Sequence, residues 1–468
     1  QRPNSAFRPR SAFHAPRARP RGFSMPPPRG KNLGAPLSGV AIGADFRENP
    51  RMTKIKRISA ACALCVAGAV LCSGKSSPEE AMWNSAWTRF FSPKTEIFYD
   101  LITSYDPQKS LEFVPSPEDI KRLSKINPNG YSTGMEDGMI LGGIMMCAVL
   151  DKYEVTKDPS LKGRADAIAR GMARCALSPE ARGFVARAVS ASDGRSFFPS
   201  TSRDQYTHCV HGLYRYCKSP LATGADRRLA AGICAAVADR MIRNVTPETG
   251  YDALNADGAP STRGLSKMWN VAPHEAARLP MIYAIAGFMT GEEKYWKEYQ
   301  KYAAEAVAQS RNFSRKMAPW AQLQMQASLE VLRDFAETDA MKNEIDGIMR
   351  EVSKLAAERL RGAASGVLDP KLGLYRLPPN PLKMPLSPEG KPEIGEFFEG
   401  PHRKARYFGE MALTMLARGA ADFDENSAKL LAGPFEKIDY DRMTSCAVIF
   451  HLAAYWSAKK AGVLEQPR

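Results

Sequence analysis

Several features that mark other protein classes are scarce in this 468-residue sequence. After residue 74 there are six cysteines, and no two of them form a Cys-x-x-Cys pair. Zinc-binding and dithiol redox motifs are therefore not predicted, and the spacing predicts no disulfide. The alternation of β-branched and polar residues that marks strands is nearly absent, which disfavours a β-rich fold. No apolar run is long enough to span a bilayer comfortably.

Acidic residues are almost missing from the first 74 positions. This segment holds 13 of the 65 Lys and Arg residues but only 2 of the 50 Asp and Glu residues, so it carries most of the net charge of +15. The rest of the chain is nearly balanced in charge. A basic excess confined to a terminal tail differs from the basic face that contacts nucleic acid. The sequence therefore predicts no nucleic-acid partner.

The same tail has two parts. Residues 1–51 are rich in Pro, Arg, Ser and Gly without an apolar period, so we predict a disordered segment or a misread extension upstream of a true start at Met52. Residues 52–74 join a basic start to a short apolar run, which is typical of a signal peptide. We therefore predict a periplasmic or secreted protein. Cys72 is a candidate lipid anchor, and plain cleavage near Gly74 is the alternative because Leu71 fits a lipidation signal poorly.

Residues 75–468 are predicted to form a single all-α domain. The segments 134–150 and 279–289 are apolar on all sides, which indicates buried helices, whereas 339–362 is amphipathic. Alternating buried and amphipathic helices predict an (α/α)6-type barrel, or toroid, with inner and outer helices. A helical solenoid is the alternative, but no sequence repeat is visible. The predicted helices cover 78–91, 117–126, 134–153, 159–177, 203–217, 224–243, 273–290, 292–310, 317–335, 338–361, 404–419, 426–433 and 440–461.

Three links between these helices are long. They are 179–202, 244–272 and the proline-rich segment 363–403. Long ordered loops in compact domains are usually functional. We predict that all three lie at one mouth of the barrel and surround a binding site.

The segment 201–216, TSRDQYTHCVHGLYRY, is unusually rich in polar and aromatic side chains. On a helix, Asp204, His208, His211 and Arg215 form one stripe at steps of three and four residues. This stripe favours an active-site helix with Asp204 as a catalytic carboxylate. As alternatives, Asp204 complements the helix dipole, and the two histidines are core residues or an incomplete metal pair. The predicted substrate-binding residues of the segment are Arg203, Gln205, Tyr206, His208 and His211.

A second carboxylate occurs in a similar setting, in GYSTGMEDGMILGG at 130–143. Thr133 and Glu136 fit a capping box, which predicts a structural role for Glu136. Asp137 then opens an otherwise apolar helix. A carboxylate there is costly unless it is paired or used, and burial would raise its pKa toward the range of a general acid. We predict that Asp137 is catalytic.

Two further clusters fit the recognition of an acidic sugar. The segment KMWNVAPHEAARLP contains Trp269, His274, Glu275 and Arg278, and GPHRKARYFGE contains His402, Arg403 and Arg406. Tryptophan can stack on sugar rings, and arginine binds carboxylates bidentately. Capped helix starts and surface ion pairs are the structural alternatives for both clusters. We predict that Trp269, His274, Glu275, Arg278, His402 and Arg403 bind substrate.

The order of GMEDGMILGG, SRDQYTHCVHGLYRY and KMWN…HEAARLP resembles the (α/α)-barrel uronic-acid glycosidases, which comprise the unsaturated glucuronyl hydrolases and related barrel β-glucuronidases. The resemblance covers most of residues 80–460. It implies two inner-ring aspartates, one of which protonates the substrate, and these roles fall on Asp137 and Asp204. The flanking residues differ from the usual pattern, which leaves hydration of an unsaturated uronate and ordinary glycoside hydrolysis both open.

Together these features predict an exported glycoside hydrolase that removes a terminal uronic acid from an acidic oligosaccharide. One aspartate donates a proton and the other activates water. No cofactor and no metal are predicted. One alternative is a polysaccharide lyase that uses Tyr206 with His208 or His274. The other is a glycan-binding protein without catalysis.

Overall fold

The computed structural model describes residues 76–464, in which helices dominate. The extension predicted over 1–51 and the signal peptide predicted over 52–74, with Cys72, lie outside the described residues. One antiparallel pair of two-residue strands, β1 (Phe91–Ser92) and β2 (Ile97–Phe98), follows the first helix. The α-helices are α1 (Pro78–Ser85), α2 (Pro117–Leu123), α3 (Gly138–Thr156), α4 (Leu161–Ala176), α5 (Arg203–Lys218), α6 (Gly224–Asn244), α7 (Arg278–Thr290), α8 (Glu293–Ser310), α9 (Pro319–Asp334), α10 (Asp339–Val367), α11 (Gly395–Phe397), α12 (Arg403–Leu416), α13 (Glu425–Lys437) and α14 (Ala447–Lys460).

Short helical turns punctuate the links. Two of them are π-turns, Ala86–Phe90 after α1 and Phe398–His402 before α12. The 3₁₀ turns are Pro179–Ala181, Pro247–Thr249, Thr262–Gly264, Pro273–Glu275, Pro370–Leu372, Pro381–Lys383, Gly419–Asp422 and Tyr440–Arg442. Among residues 76–464, no helix combines the length and the apolar character needed to cross a membrane.

Six helices form a closed inner ring. In order around the ring they are α3, α5, α7, α9, α12 and α14, and α14 packs back against α3. The helices α4, α6, α8, α10 and α1 pack around the inner ones, while α13 packs on α10 and, through Phe435, against Phe408 of α12. The structure therefore confirms the predicted all-α (α/α)6 barrel.

The burial of each helix follows from its sequence. In α3, every residue from Gly138 to Asp151 is buried, and in α7 the same holds from Arg278 to Gly287, because these helices are surrounded by others. The outer helix α10 buries only one stripe, which includes Ile345, Met349 and Val352. An apolar helix is thus placed in the inner ring and an amphipathic one in the outer ring by the same hydrophobic driving force.

The inner helices run in one direction. Residues at the start of α3, α5, α9 and α12 line one cavity, and residues near the ends of α3, α5, α9, α12 and α14 line another. One end of the ring therefore gathers helix amino termini with their unpaired N–H groups, and the other gathers carboxyl termini.

Most predicted helix boundaries agree with the structure to within a few residues, but three starts were wrong. The helix predicted from 134 begins at Gly138, the one predicted from 273 begins at Arg278 after the turn Pro273–Glu275, and the one predicted from 440 begins at Ala447 after the turn Tyr440–Arg442. The helix predicted over 338–361 continues to Val367. The long link before α12 is accordingly shorter than predicted.

Two glycines allow α3 and α5 to pack closely. A Cβ atom on Gly143 would lie 2.1 Å from the carbonyl oxygen of His208. A Cβ atom on Gly212 would lie 2.9 Å from the Cα of Gly143. Backbone therefore packs on backbone at this crossing, and no side chain can be added without moving a helix.

We predict that Gly143→Ala lowers the free energy of unfolding by about 3 kcal/mol, because the added methyl group forces α3 and α5 apart. The matched control is Gly232→Ala in the outer helix α6, where a new Cβ meets nothing within 4 Å. This control should stabilise the protein by about 0.5–1 kcal/mol through helix propensity. Urea unfolding of both variants is the measurement, and equal midpoints would contradict the proposed close packing.

Candidate active site

A cavity of about 210 Å³ opens at the end of the ring where the inner helices begin, and we call it the mouth cavity. All three long links contribute to its wall, through Arg187, Leu265 and Phe398. The predicted position of these links at one mouth is therefore confirmed. Four carboxylates and three guanidinium groups line the mouth cavity, namely those of Glu136, Asp137, Asp204, Glu410, Arg187, Arg403 and Arg406.

The entry into α3 is held by a residue distant in the sequence. The carboxylate of Asp100, which is fully buried, accepts hydrogen bonds from the backbone N–H groups of Glu136 at 2.6 Å and Asp137 at 3.0 Å. The predicted capping box is wrong, since the Thr133 hydroxyl donates to the carbonyl of Gly130 and the Glu136 carboxylate accepts from the N–H of Ser132. Glu136 is thereby left free of the helix and lines the mouth cavity.

Asp137 is bound by a buried arginine. The Arg406 guanidinium donates to Asp137 Oδ2 and, through Nε and a terminal nitrogen at 3.3 and 3.2 Å, to Glu410 Oε1. Gln205 Nε2 lies 3.4 Å from the other oxygen of Asp137. Burial opposes the charge of Arg406, but Asp137 and Glu410 outweigh it and raise the pKa of the guanidinium. One cation thus serves two carboxyl groups, and α3 and α12 are joined across α14.

Two glutamates at this site hold protons more tightly than usual. Burial and the neighbouring charge of Asp137 raise the pKa of Glu136 to about 7. Burial also raises the pKa of Glu410 to about 7, although Arg406 opposes the shift. Behind them, burial and the charges of Asp137 and Glu136 raise the pKa of Asp100 well above its ordinary value. Carboxyl groups with pKa values near neutrality can act as general acids.

Asp204, in contrast to these glutamates, is held in its ionised form. Its side chain remains 30% exposed and accepts a hydrogen bond from the buried Arg278, which also donates to Gln324. Burial would raise the pKa of Asp204, but the charges of Arg278 and Arg203 prevail and lower it. The mouth cavity therefore combines an ionised carboxylate with carboxyl groups that are protonated near neutral pH.

The other predicted residues lie in several different places. His402 and Arg403 line the mouth cavity, and Gln205 lies behind it, donating to the carbonyl of Glu136 at 3.0 Å. Arg203 and Glu275 form an ion pair of 2.5 Å that supports Arg278 from below. Neither His274 nor Trp269 lines the mouth cavity.

Trp269 and Tyr206 are core residues. The indole of Trp269 packs edge-on against Tyr302 at 4.7 Å between ring centroids, and it is almost fully buried. Tyr206 has no exposed surface at all. His208 and His211 line a second cavity near the far end of α5. The stripe predicted on α5 therefore faces the inside of the barrel. Asp204 lines the mouth cavity, whereas His208, His211 and Arg215 line the second cavity.

The sequence prediction missed several lining residues. Glu410 lies one turn after Arg406 in the quoted segment GPHRKARYFGE, and this i, i+4 spacing was the available signal. Trp320, 36% exposed, is the tryptophan of the mouth cavity, and it has the aromatic neighbour Tyr407 at 6.1 Å. Arg187 is one of three arginines in the segment 179–202, and no local pattern distinguishes it from the other two. Within residues 76–464, no three His, Cys, Asp or Glu side chains converge as metal ligands would.

The elevated pKa of Glu410 predicts a pH-dependent stability. In the unfolded chain this carboxyl group ionises near pH 4.5, whereas in the fold its pKa is about 7. Its contribution to stability is therefore complete below pH 4.5 and is lost as the pH rises to 7. Glu410→Gln should gain stability relative to the parent across this window, as measured by urea unfolding at several pH values. Glu293→Gln, at a side chain that is 80% exposed, is the control, and a difference for Glu410→Gln that does not change with pH would contradict the assignment.

No protein-family model matches the chain. No curated protein matches it either. Among solved structures, it is similar to the GH76A alpha-1,6-mannanase from Salegentibacter sp., with 14% identity over 60% of this chain and 86% of that chain and a TM-score of 0.33. An inactive variant of that mannanase in complex with alpha-1,6-mannotetrose is similar at 14% identity, 73% and 98% coverage and a TM-score of 0.36. The cellobiose 2-epimerase from Spirochaeta thermophila is similar at 13% identity, 82% and 96% coverage and a TM-score of 0.39. These low scores assign neither activity nor substrate to this chain, and the resemblance to uronic-acid glycosidases stays a prediction.

Proposed function

We propose that the protein is a glycoside hydrolase that removes a terminal uronic acid from an oligosaccharide. The observation that carries the proposal is the pairing, in one small cavity, of a carboxyl group protonated near neutral pH with a carboxylate held ionised by arginine. Enzymes that cleave glycosidic bonds use two carboxyl groups in these two states.

Glu136 is the general acid in this proposal. Its pKa of about 7 gives a proton that is retained at neutral pH yet available for transfer. It also lines a wider groove beside the mouth cavity, so a substrate can reach it from solvent. Glu410 has a similar pKa but is almost fully buried behind Arg406, which suits a structural role better.

Asp204 is the base. It stays ionised because Arg278 and Arg203 lower its pKa, and its exposure allows contact with a water molecule. The proton of Glu136 goes to the glycosidic oxygen as the bond from that oxygen to the anomeric carbon breaks. Water adds to the anomeric carbon and gives its proton to Asp204. Asp137, bound by Arg406, takes the role of a positioning residue that raises the pKa of Glu136.

The preference for an acidic sugar rests on the cations of the mouth. Arg187 donates a hydrogen bond from one terminal nitrogen to the carbonyl of Glu136, and its Nε finds no acceptor among the described residues. Arg403 is only half-buried and bonds to the exposed Glu399 at 2.6 Å. The Arg403 guanidinium can bind a substrate carboxylate bidentately, and the charge of Arg187, which is 4% exposed, adds to the attraction. The amino termini of the inner helices favour negative charge at the same end of the ring.

The shape of the mouth fits one terminal sugar. The mouth cavity is smaller than a typical site for a drug-sized ligand. The adjoining groove, of about 580 Å³, shares Tyr131, Glu136, Phe398 and Arg403 with it and can take the rest of the chain. The exposed indole of Trp320 supplies an apolar face for the sugar. Export, inferred from residues 52–74, is part of the proposal because such oligosaccharides arise outside the cytoplasm.

The lyase alternative loses support from the position of its proposed groups. Tyr206 is fully buried, and His208 lines the second cavity rather than the mouth. Burial also lowers the pKa of His208 to about 3, which leaves it a weak base. A glycan-binding protein without catalysis remains as an outcome of the experiment below.

We predict that Glu136→Gln and Asp204→Asn each lower kcat/KM by about 10²–10⁴-fold, since each removes one proton-transfer group. The substrates are an aryl β-glucuronide and an unsaturated-uronate disaccharide, with an aryl β-glucoside for comparison. Glu293→Gln on the outer helix α8 is the matched control and should retain full activity.

Circular dichroism confirms that each variant is folded. Full turnover by folded Glu136→Gln would remove the acid assignment. A parent protein that binds the acidic sugars in calorimetry but never cleaves them would be a binding protein instead.

The pH profile gives a separate test. Activity should fall on the alkaline side near pH 7, as Glu136 loses its proton. The cation of Arg187 lowers the pKa of Glu136, so Arg187→Met should move this limb of kcat/KM to higher pH. It should also raise KM for the acidic substrate. A limb that stays in place or moves to lower pH in Arg187→Met would contradict the assignment of Glu136.

A further inference from the structure

A second cavity, of about 400 Å³, lies at the end of the ring where the inner helices finish, and we call it the lower cavity. The proposed hydrolysis uses none of its side chains. Its wall is mainly apolar, with residues such as Leu323, Leu413 and Ala453, and one side carries Cys147, His211 and Glu330. Polar groups gathered in an otherwise apolar cavity call for a chemical explanation.

Three of these groups form a chain of contacts. The Sγ atom of Cys147 lies 3.9 Å from Nδ1 of His211, and Nε2 of the same ring lies 3.0 Å from Glu330 Oε2. This is the order of a thiol, a base and a carboxylate that orients the base. Cys147 is 9% exposed and faces the cavity, while Glu330, with 33% of its side chain exposed, stands toward the opening.

Beside His211 and Glu330, whose opposite charges offset each other, the lower cavity contains two cations and one carboxylate. From α5, Arg215 lies beside Cys147 and bonds to Asp151, while Lys460 of α14 bonds to the same aspartate at 2.8 Å. One carboxylate thus faces two cations. His208, from α5, is neutral because burial lowers its pKa to about 3. The members of α12 in the wall, Leu413 and Leu416, are apolar.

A buried acceptor also points to a ligand. Gln326 lines the lower cavity and has no exposed surface. Its Nε2 lies within hydrogen-bonding distance of three acceptors, on Met349, Ser353 and Thr414, which share its two N–H groups. Its Oε1 atom accepts no hydrogen bond from any residue in 76–464. A buried amide oxygen without a donor is costly, and a ligand with a hydroxyl or N–H group would supply one.

We propose that the lower cavity is a second chemical site, in which Cys147 is a nucleophilic thiol that takes small anionic electrophiles such as carboxylate-bearing esters or thioesters. The Cys147 sulfur attacks the acyl carbon, and a carbon–sulfur bond forms. The bond from that carbon to the leaving oxygen or sulfur breaks, and the proton on His211 Nδ1 goes to the leaving atom. Arg215 and Lys460 attract the carboxylate of the ligand.

The protonation of the pair agrees with this geometry. Burial opposes ionisation of the Cys147 thiol, but Arg215 and His211 prevail and lower its pKa. Burial likewise opposes protonation of His211, but Glu330 and Cys147 raise its pKa to about 10. Thiolate and imidazolium are therefore favoured together, and the thiolate is the reactive form of cysteine.

Another cysteine provides an internal control. Cys217, on the same helix as His211, is more exposed than Cys147, but burial raises its pKa. If access alone decided reactivity, Cys217 would react before Cys147. If the lower cavity activates its thiol, Cys147 reacts first.

The experiment is alkylation of the full chain at pH 7 with iodoacetate and, in parallel, with iodoacetamide. Mass spectrometry of the separate cysteine peptides gives each rate. Cys147 should react about tenfold faster than Cys217. Its ratio of iodoacetate to iodoacetamide rates should also exceed that of Cys217, because the site attracts anions. His211→Gln should remove both advantages.

His211→Gln alters a buried group, so Glu330→Gln, at the more exposed end of the contact chain, serves as a second variant. In Glu330→Gln, the alkylation rate of Cys147 should rise at a higher pH than in the parent protein. Thermal unfolding checks that both variants are folded. The proposal is overturned if Cys147 reacts no faster than Cys217, or if it shows no preference for iodoacetate. Loss of glucuronide hydrolysis in Glu136→Gln leaves these rates unchanged, so failure of one proposal is distinguishable from failure of the other.

Discussion

The electrostatics of the mouth depend on one buried cation. Arg406 lies between Asp137 and Glu410, and a single guanidinium cannot fully neutralise two carboxylates in a site that water hardly reaches. Burial, and the charge of Asp137 that Arg406 leaves unneutralised, raise the pKa values of Glu136 and Glu410 to about 7, even though Arg406 itself lowers both. Asp204 is in the opposite situation, because the charges of Arg278 and Arg203 outweigh its burial and lower its pKa.

The direction of the inner helices gives the barrel two different ends. Carboxylates and a candidate anionic ligand meet helix amino termini at the mouth cavity, where the dipoles favour negative charge. Arg215, Lys460 and protonated His211 meet the carboxyl termini at the lower cavity, where cations are favoured. The stripe on α5 spans both, with Asp204 at one end and Arg215 at the other. A single helix thus lines two cavities with different charged groups.

The sequence predicted the architecture better than the site. The apolar character of α3 and α7 against the amphipathic α10 was enough to predict two rings, since burial follows local composition. The stripe of Asp204, His208, His211 and Arg215 was also visible, because helical spacing is local. The division of this stripe between two cavities was not visible, because it depends on how far along the barrel axis each helical turn lies. The role of Asp100 as a cap for α3 was hidden as well, because 36 residues separate the partners.

The same reasoning explains the errors over Glu136 and Trp269. A capping box is a local pattern, and Thr133 and Glu136 satisfy it in sequence, yet a remote carboxylate takes over the N–H groups that the box would serve. Tryptophan is a residue type that often stacks on sugars, but the ring of Trp269 is covered by Tyr302 from the next outer helix. Both outcomes were decided by tertiary neighbours that no short window of sequence contains.

Because the inner helices all run in one direction, the long links lie at one end of the ring and the short links at the other. Three long segments frame the mouth, whereas brief links such as 157–160 between α3 and α4 and 219–223 between α5 and α6 close the other end. Insertions and substitutions in the long segments can therefore change the shape of the mouth cavity without disturbing the ring or the lower cavity.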